Sequence, residues 1–229
     1  MKRKMMATLL ASVLAMSVAP AAMADSPTPR APVPDALITV VHAVPNFKAD
    51  IWVNNSKALA DVSPKTVTDP IPFEAGDYMI EVKPAGSGKR TPAVLSQETT
   101  LSGGEDLSVV AGLRPNGNPK LFVFSNDTSA PTGDLRLFVA HVAAYGAVNV
   151  WANGIPLADG VKNGDSANFE VPAGTYGVWV APEGKVSPAV IGPIAADLPA
   201  DHHVSVYAFG PTKKGKTSFI VAARPLLAP

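Results

Sequence analysis

The sequence predicts an all-β fold of two tandem immunoglobulin-like antiparallel β-sandwiches, and three observations carry that prediction. First, the chain says nearly the same thing twice, about 97 residues apart. Val41-His42-Ala43, Trp52-Val53-Asn54, Leu59-Ala60-Asp61, Gly76-Asp77-Tyr78 and Pro92-Ala93-Val94 return as Ala140-His141-Val142, Trp151-Ala152-Asn153, Leu157-Ala158-Asp159, Gly174-Thr175-Tyr176 and Pro188-Ala189-Val190. A repeat of that length is a duplicated domain rather than a solenoid unit. Second, nothing in either repeat has helical period. Short apolar runs alternate with Gly, Pro, Asn and Asp clusters at spacings of about 8–12 residues, the mark of a sandwich or barrel. Third, the punctuation fits hairpins. Asn153-Gly154 suits a two-residue turn because both residues tolerate positive φ, and Asn54-Asn55 is its weaker counterpart.

Element by element, the first repeat predicts strands at 37–42, 49–54, 66–73, 78–83, 94–101, 107–113 and 120–124. The second predicts 135–141, 148–153, 167–171, 176–181, 189–195, 203–209 and 218–222. Side chains alternate across a strand. Ala49, Ile51 and Val53 therefore share a core face, as do Val148, Val150 and Ala152. Tyr78, Ile80 and Val82 form a second core row, matched by Tyr176, Val178 and Val180. Trp52 and Trp151 fall on the opposite, outer face, and so does Trp179, where the first repeat has Glu81. Tyr78 and Tyr176 each follow a turn glycine by two residues, an arrangement that predicts a tyrosine corner, with the hydroxyl pinning the turn.

The order of these signals also resembles a known family. His42-Ala43 is followed by a proline-containing loop, Val44-Pro45-Asn46, then by a strand ending in an Asn turn, an Ala-Gly-x-Tyr strand start and a Pro84-Ala85-Gly86 loop. In this the chain resembles the DUF4397 family of exported bacterial proteins, once per repeat. The second repeat departs after His141, where Val142-Ala143-Ala144-Tyr145 lacks the proline. The resemblance implies an extracytoplasmic β-sandwich of the cell envelope or surface and supplies no catalytic residues.

The address is legible at the N-terminus. Lys2, Arg3 and Lys4 precede a short apolar stretch, Pro20 breaks it, and Ala22-Met23-Ala24 fits signal peptidase. The expected organisation is a signal peptide over 1–24, a proline-rich tether over 25–35, a first sandwich over 36–125, a linker over 126–133, a second sandwich over 134–224 and a tail over 225–229. Export to the periplasm or the extracellular space follows. Cleavage removes three of the 19 basic residues and none of the 19 acidic ones, leaving a net charge of −3. That balance is no footprint for nucleic acid, and no later stretch is long and apolar enough to span a bilayer. With no cysteine, the fold is not a disulfide scaffold and has no thiol chemistry; each repeat must stand on its apolar core.

His42 and His141 occupy the same strand end in each repeat and lack further ligands at suitable spacing, so each reads as an imidazole bonding a nearby carbonyl. His202 and His203, with Asp197 and Asp201 nearby, are the only local group of metal-capable side chains. Adjacent strand residues point to opposite faces, which makes that pair a weak metal candidate. There is no Gly-x-Ser-x-Gly elbow and no phosphate-binding glycine loop. No cofactor is expected. The candidate ligand-binding residues are Trp179, Trp151 and Trp52, since indoles on a polar strand face can stack on a sugar ring or anchor a protein. The sequence thus predicts a non-enzymatic binding or adhesion module for an envelope glycan or a surface protein. A spacer without a dedicated ligand is the alternative, and a metal-dependent hydrolase using the C-terminal histidines is a third.

Overall fold

The two-residue turns set the register of the outer sheets. Asn54 and Asn55 take φ of 46° and 62°, and Asn153 and Gly154 take 49° and 83°, the left-handed pair that matches the twist of a tight hairpin. The computed structural model describes residues 34–129, 131, 134–212 and 214–226. The expected signal peptide, nearly all of the tether, part of the linker and the last three residues lie outside the described residues.

The first repeat forms β1 (Ala36–His42), β2 (Ala49–Val53), β3 (Ser56–Val62), β4 (Ile71–Phe73), β5 (Gly76–Pro84), β6 (Leu95–Leu101), β7 (Asp106–Leu113) and β8 (Pro119–Ser125). The second forms β9 (Leu135–Ala140), β10 (Val148–Ala152), β11 (Ile155–Val161), β12 (Ser166–Val171), β13 (Gly174–Pro182), β14 (Ile191–Leu198), β15 (His202–Phe209) and β16 (Ser218–Pro225). The sheets run β4-β1-β7-β8 and β3-β2-β5-β6, then β12-β9-β15-β16 and β11-β10-β13-β14. Each repeat is thus a sandwich of two four-stranded sheets, and the second copies the order of the first. Pairing is antiparallel except for β1 with β7 and β9 with β15, which run parallel.

Each sandwich has eight strands where the sequence predicts seven. The additional ones are the edge strands β3 and β11. Ser56–Val62 is exposed along most of its length, so no apolar alternation marks it. Its position comes instead from the Asn54-Asn55 turn and from Asp50, whose carboxylate accepts the Asp61 N–H at 2.9 Å. The strand expected over 66–73 shrinks to Ile71–Phe73, with Val67 making only an isolated bridge to Val41. Pro70 lacks the N–H that would continue the ladder.

The tyrosine corners form as the sequence predicts. Tyr78 donates its hydroxyl to the Glu74 carbonyl and Tyr176 to the Pro172 carbonyl, both at 2.9 Å. The core rows also form: Ile51 and Val82 are buried in the first sandwich, and Val150 and Val180 in the second.

A third apolar layer lies between the sandwiches. Val41, Val110, Phe122 and Phe124 on the outside of the β4-β1-β7-β8 sheet pack against Phe138, Ala140, Val142, Tyr207, Phe209 and Ile220 of the second repeat. Phe138 and Tyr207 are fully buried there, and burying one such Phe is worth about 2–3 kcal/mol. The approach is close enough to require glycine at Gly112, where an added Cβ would lie 2.8 Å from both Cβ and O of Val142. Tyr207 donates to Ser108 Oγ at 2.9 Å across the seam. The expected linker is partly built into it: Asn126 is buried, accepting from Ser108 at 3.0 Å and donating to Asp106 at 2.7 Å. The two sandwiches are therefore docked sheet to sheet, not strung on a free linker.

Candidate functional site

The docking leaves the β3-β2-β5-β6 and β11-β10-β13-β14 sheets as the outer faces, and all three tryptophans stand on them. In the first sandwich Trp52 lies on β2, directly opposite Lys57 on β3 and Glu81 on β5. It is 7 % exposed. The Lys57 and Lys83 ammonium groups sit 5.3 and 4.8 Å from its ring centroid, in the range of a cation–π contact. Lys83 is itself buried, donating to the Lys89 carbonyl at 3.1 Å and lying 3.4 Å from Glu81. Lys57 also pairs at 2.6 Å with the buried Asp50. That bond, with the Asp61 N–H, holds the Asp50 carboxyl below the usual carboxylate range. Trp52 is thus enclosed in a charged lattice and offers no open ring face, which removes it from the accessible platform the sequence suggested.

The second sandwich solves the same position differently. Trp151 stands opposite Pro156 and Trp179. The two indoles stack with centroids 5.7 Å apart and planes 1° from parallel. Both are half-buried. Around them the charged residues of the first face are gone. Asn149 replaces Asp50, Pro156 replaces Lys57, Trp179 replaces Glu81, Ala181 replaces Lys83, Gly177 replaces Met79 and Ala195 replaces Glu98, all read off the matching strand registers. Asn149 keeps the local job of Asp50, its side-chain oxygen accepting the Gly160 N–H at 2.9 Å. The outcome is a sheet face with two indoles among small and proline side chains, with Ile155 68 % exposed at its turn. Lys57 and Pro156 were within reach of the sequence, because a two-residue turn fixes which residue faces Trp52 and Trp151; Lys83, on β5, was not.

The histidines fall elsewhere. His42 Nε2 lies 2.6 Å from the Phe47 carbonyl, and His141 Nε2 lies 2.9 Å from the Gly146 carbonyl. Each ring is buried with Nδ1 unpartnered, so each is the neutral tautomer donating from Nε2. Burial lowers both below the usual histidine value. The carbonyl-bonded reading of these two residues holds, with burial deeper than a strand end suggests.

His202 and His203 diverge as adjacent strand residues must. His202 lies at the surface with Nδ1 2.6 Å from the Ala200 carbonyl. His203 is 2 % exposed at the seam between the sandwiches, with Nε2 unpartnered. There Arg224 pairs with Asp106 at 2.8 Å, and Arg136 pairs with Asp127 and, at 3.1 Å, Glu170. Burial pushes the His203 imidazole down to about 4, reinforced by Arg224 and Arg136. A polar cavity of about 390 Å³ opens beside it, with Lys65 and Asp69 also on its wall. Among the described residues, no three His, Asp or Glu side chains converge to hold a metal ion. No helix among them is long and apolar enough to cross a membrane.

A family model described as a domain of unknown function, DUF4397, matches residues 36–150. That span covers the first sandwich and the first strands of the second. No curated protein matches the chain.

Proposed function

The chain belongs to the DUF4397 family, and from the indole face of its second sandwich we propose that it is a non-catalytic binding module that holds a protein partner in the bacterial envelope or outside the cell. The single observation behind this reading is the replacement of the charged outer face of one sandwich by the stacked Trp151–Trp179 pair in the other. Depletion of charge with enrichment in tryptophan is the compositional signal of an interface centre. A glycan site needs convergent polar side chains around its aromatic platform, whereas Pro156, Gly177, Ala181 and Ala195 have taken those places. A protein is therefore the better-fitting ligand. Export rests on the Lys2-Arg3-Lys4 start, the apolar stretch and the Ala22-Met23-Ala24 site.

The spacer alternative expects all three indoles hidden between the domains. The described tryptophans lie on the sheets facing away from the seam, which favours the binding reading. Trp179→Glu installs the first sandwich's own residue and is the appropriate variant. Immobilised mature protein should retain an envelope protein that the variant releases, with at least a tenfold loss of binding. Equal retention by both, or ligands found only on a glycan array, would contradict the proposal.

A further inference from the structure

The interiors of the two sandwiches are not equally filled. In the first, the space between the sheets amounts to about 40 Å³, among Ile51, Val53, Phe73 and Ile80. In the second, the matching space is about 260 Å³. At those four positions the second sandwich has Val150, Ala152, Val171 and Val178, each smaller than its counterpart. Phe73 packs edge-on against Tyr78 at 5.5 Å in the first sandwich; Val171 leaves Tyr176 without that ring. Phe219, larger than the Leu121 it replaces, lines the cavity without closing it.

The entrance has changed in the same direction. Gln97 and Thr99 on β6 correspond to Ile194 and Ala196 on β14. Ile194 is 39 % exposed and Val221, on β16, 52 %, and both reach the cavity wall. Large apolar side chains at a rim, over an apolar interior, are what a hydrocarbon needs to enter. Water is a poor occupant, because an apolar cavity of about 150 Å³ stays dry and accepts benzene. The Asp197 carboxylate lies on the outer face of β14, accepting from Thr175 Oγ1 at 2.6 Å, and no Lys, Arg or His lines the cavity. An anionic head group would find no counter-charge there.

We propose that the interior of the second sandwich is a binding site for an uncharged hydrocarbon group larger than a benzene ring, such as a bicyclic aromatic or a medium-length alkyl chain. This site is separate from the indole face, which lies on the other side of the β11-β10-β13-β14 sheet. The first sandwich is its closed counterpart within the same chain.

The test uses the whole mature protein and the neutral dye N-phenyl-1-naphthylamine. Fluorescence should saturate at one dye per chain. Displacement by 1-octanol identifies an alkyl chain as the group held, and displacement by naphthalene alone identifies an aromatic one. The anionic dye anilinonaphthalene sulfonate should bind at least tenfold more weakly. Ala152→Val with Val178→Ile installs the first sandwich's side chains, and should lower dye affinity at least tenfold while the melting temperature holds or rises. Val178→Ile alone serves if the pair does not fold. Trp179→Glu should leave dye binding intact. Absence of saturable binding, or unchanged affinity in the filled variants, overturns the proposal.

Discussion

Trp151 and Trp179 face each other across β10 and β13 with their rings 1° from parallel, at the register position where the first sandwich sets Trp52 against Glu81. Three exchanges, Lys57 to Pro156, Glu81 to Trp179 and Lys83 to Ala181, change what surrounds the shared tryptophan. Opposite Glu81, Trp52 lies under lysines; opposite Trp179, Trp151 stacks on a second indole.

The stack should be visible in solution. Two indoles stacked at 5.7 Å shield each other's ring faces, so Trp179→Ala should shift the Trp151 emission to longer wavelength and raise its quenching by iodide. Aromatic pairs of this kind contribute about 0.5–1.5 kcal/mol beyond their burial. Denaturant titration of the variant should show a loss at least that large. Iodide should quench Trp179 more than the buried Trp52.

Docking of the sandwiches should depend on Gly112 and Tyr207. Gly112→Ala forces a methyl to 2.8 Å from the Val142 carbonyl oxygen, and overpacking of this kind costs about 1–3 kcal/mol. Tyr207→Phe leaves the buried Ser108 hydroxyl without its donor, at about 1–3 kcal/mol. Calorimetry should show one transition for the parent and two for Gly112→Ala, as the sandwiches lose their mutual support.

Acid should weaken the same seam. His203 is held neutral, its value lowered from 6.5 to about 4 by burial beside Arg224 and Arg136, against the opposing pull of Asp106 and Asp127. Between those values the unfolded chain binds a proton that the folded chain refuses, so stability rises with pH across that window. The contribution is complete above pH 6.5 and falls by roughly 3 kcal/mol as pH drops to 4. His42 and His141, also lowered by burial, act in the same sense. Urea midpoints should fall between pH 7 and pH 4.5, and His203→Phe should flatten part of that slope.

A cross-strand pair has exchanged its ends. Thr100 on β6 donates to Asp77 on β5, and in the second sandwich Thr175 on β13 donates to Asp197 on β14, both at 2.6 Å. Asp77→Thr or Thr100→Asp alone should cost a few tenths of a kcal/mol up to about 1, the range for cross-strand pairs. The double swap should restore the parent midpoint in a denaturation series.

Much of the scaffold was legible because its causes are local. Asn153-Gly154 can make few other turns, and the Tyr78 and Tyr176 hydroxyls need a carbonyl only four residues back. The seam was written in the sequence in another way. Val109-Val110-Ala111-Gly112-Leu113 on β7 and Leu121-Phe122-Val123-Phe124 on β8 are apolar on both faces, the mark of a strand buried on two sides. A solvent-facing sandwich strand would alternate. The edge strands β3 and β11 stayed hidden because exposure erases their periodicity. The burial of Trp52 depends on where two long lysine side chains lie, and strand alternation gives only the face, not what covers it.

The proposed partner sits on the outer face of the second sandwich and not on that of the first. A photo-crosslinking residue placed in living cells at position Gly177, beside the indole pair, or at the matching position Met79 of the first sandwich tests it most directly. A discrete crosslinked protein is expected from Gly177 alone, lost when Trp179→Glu is added. Products of equal yield from both positions, or none from Gly177, would contradict it.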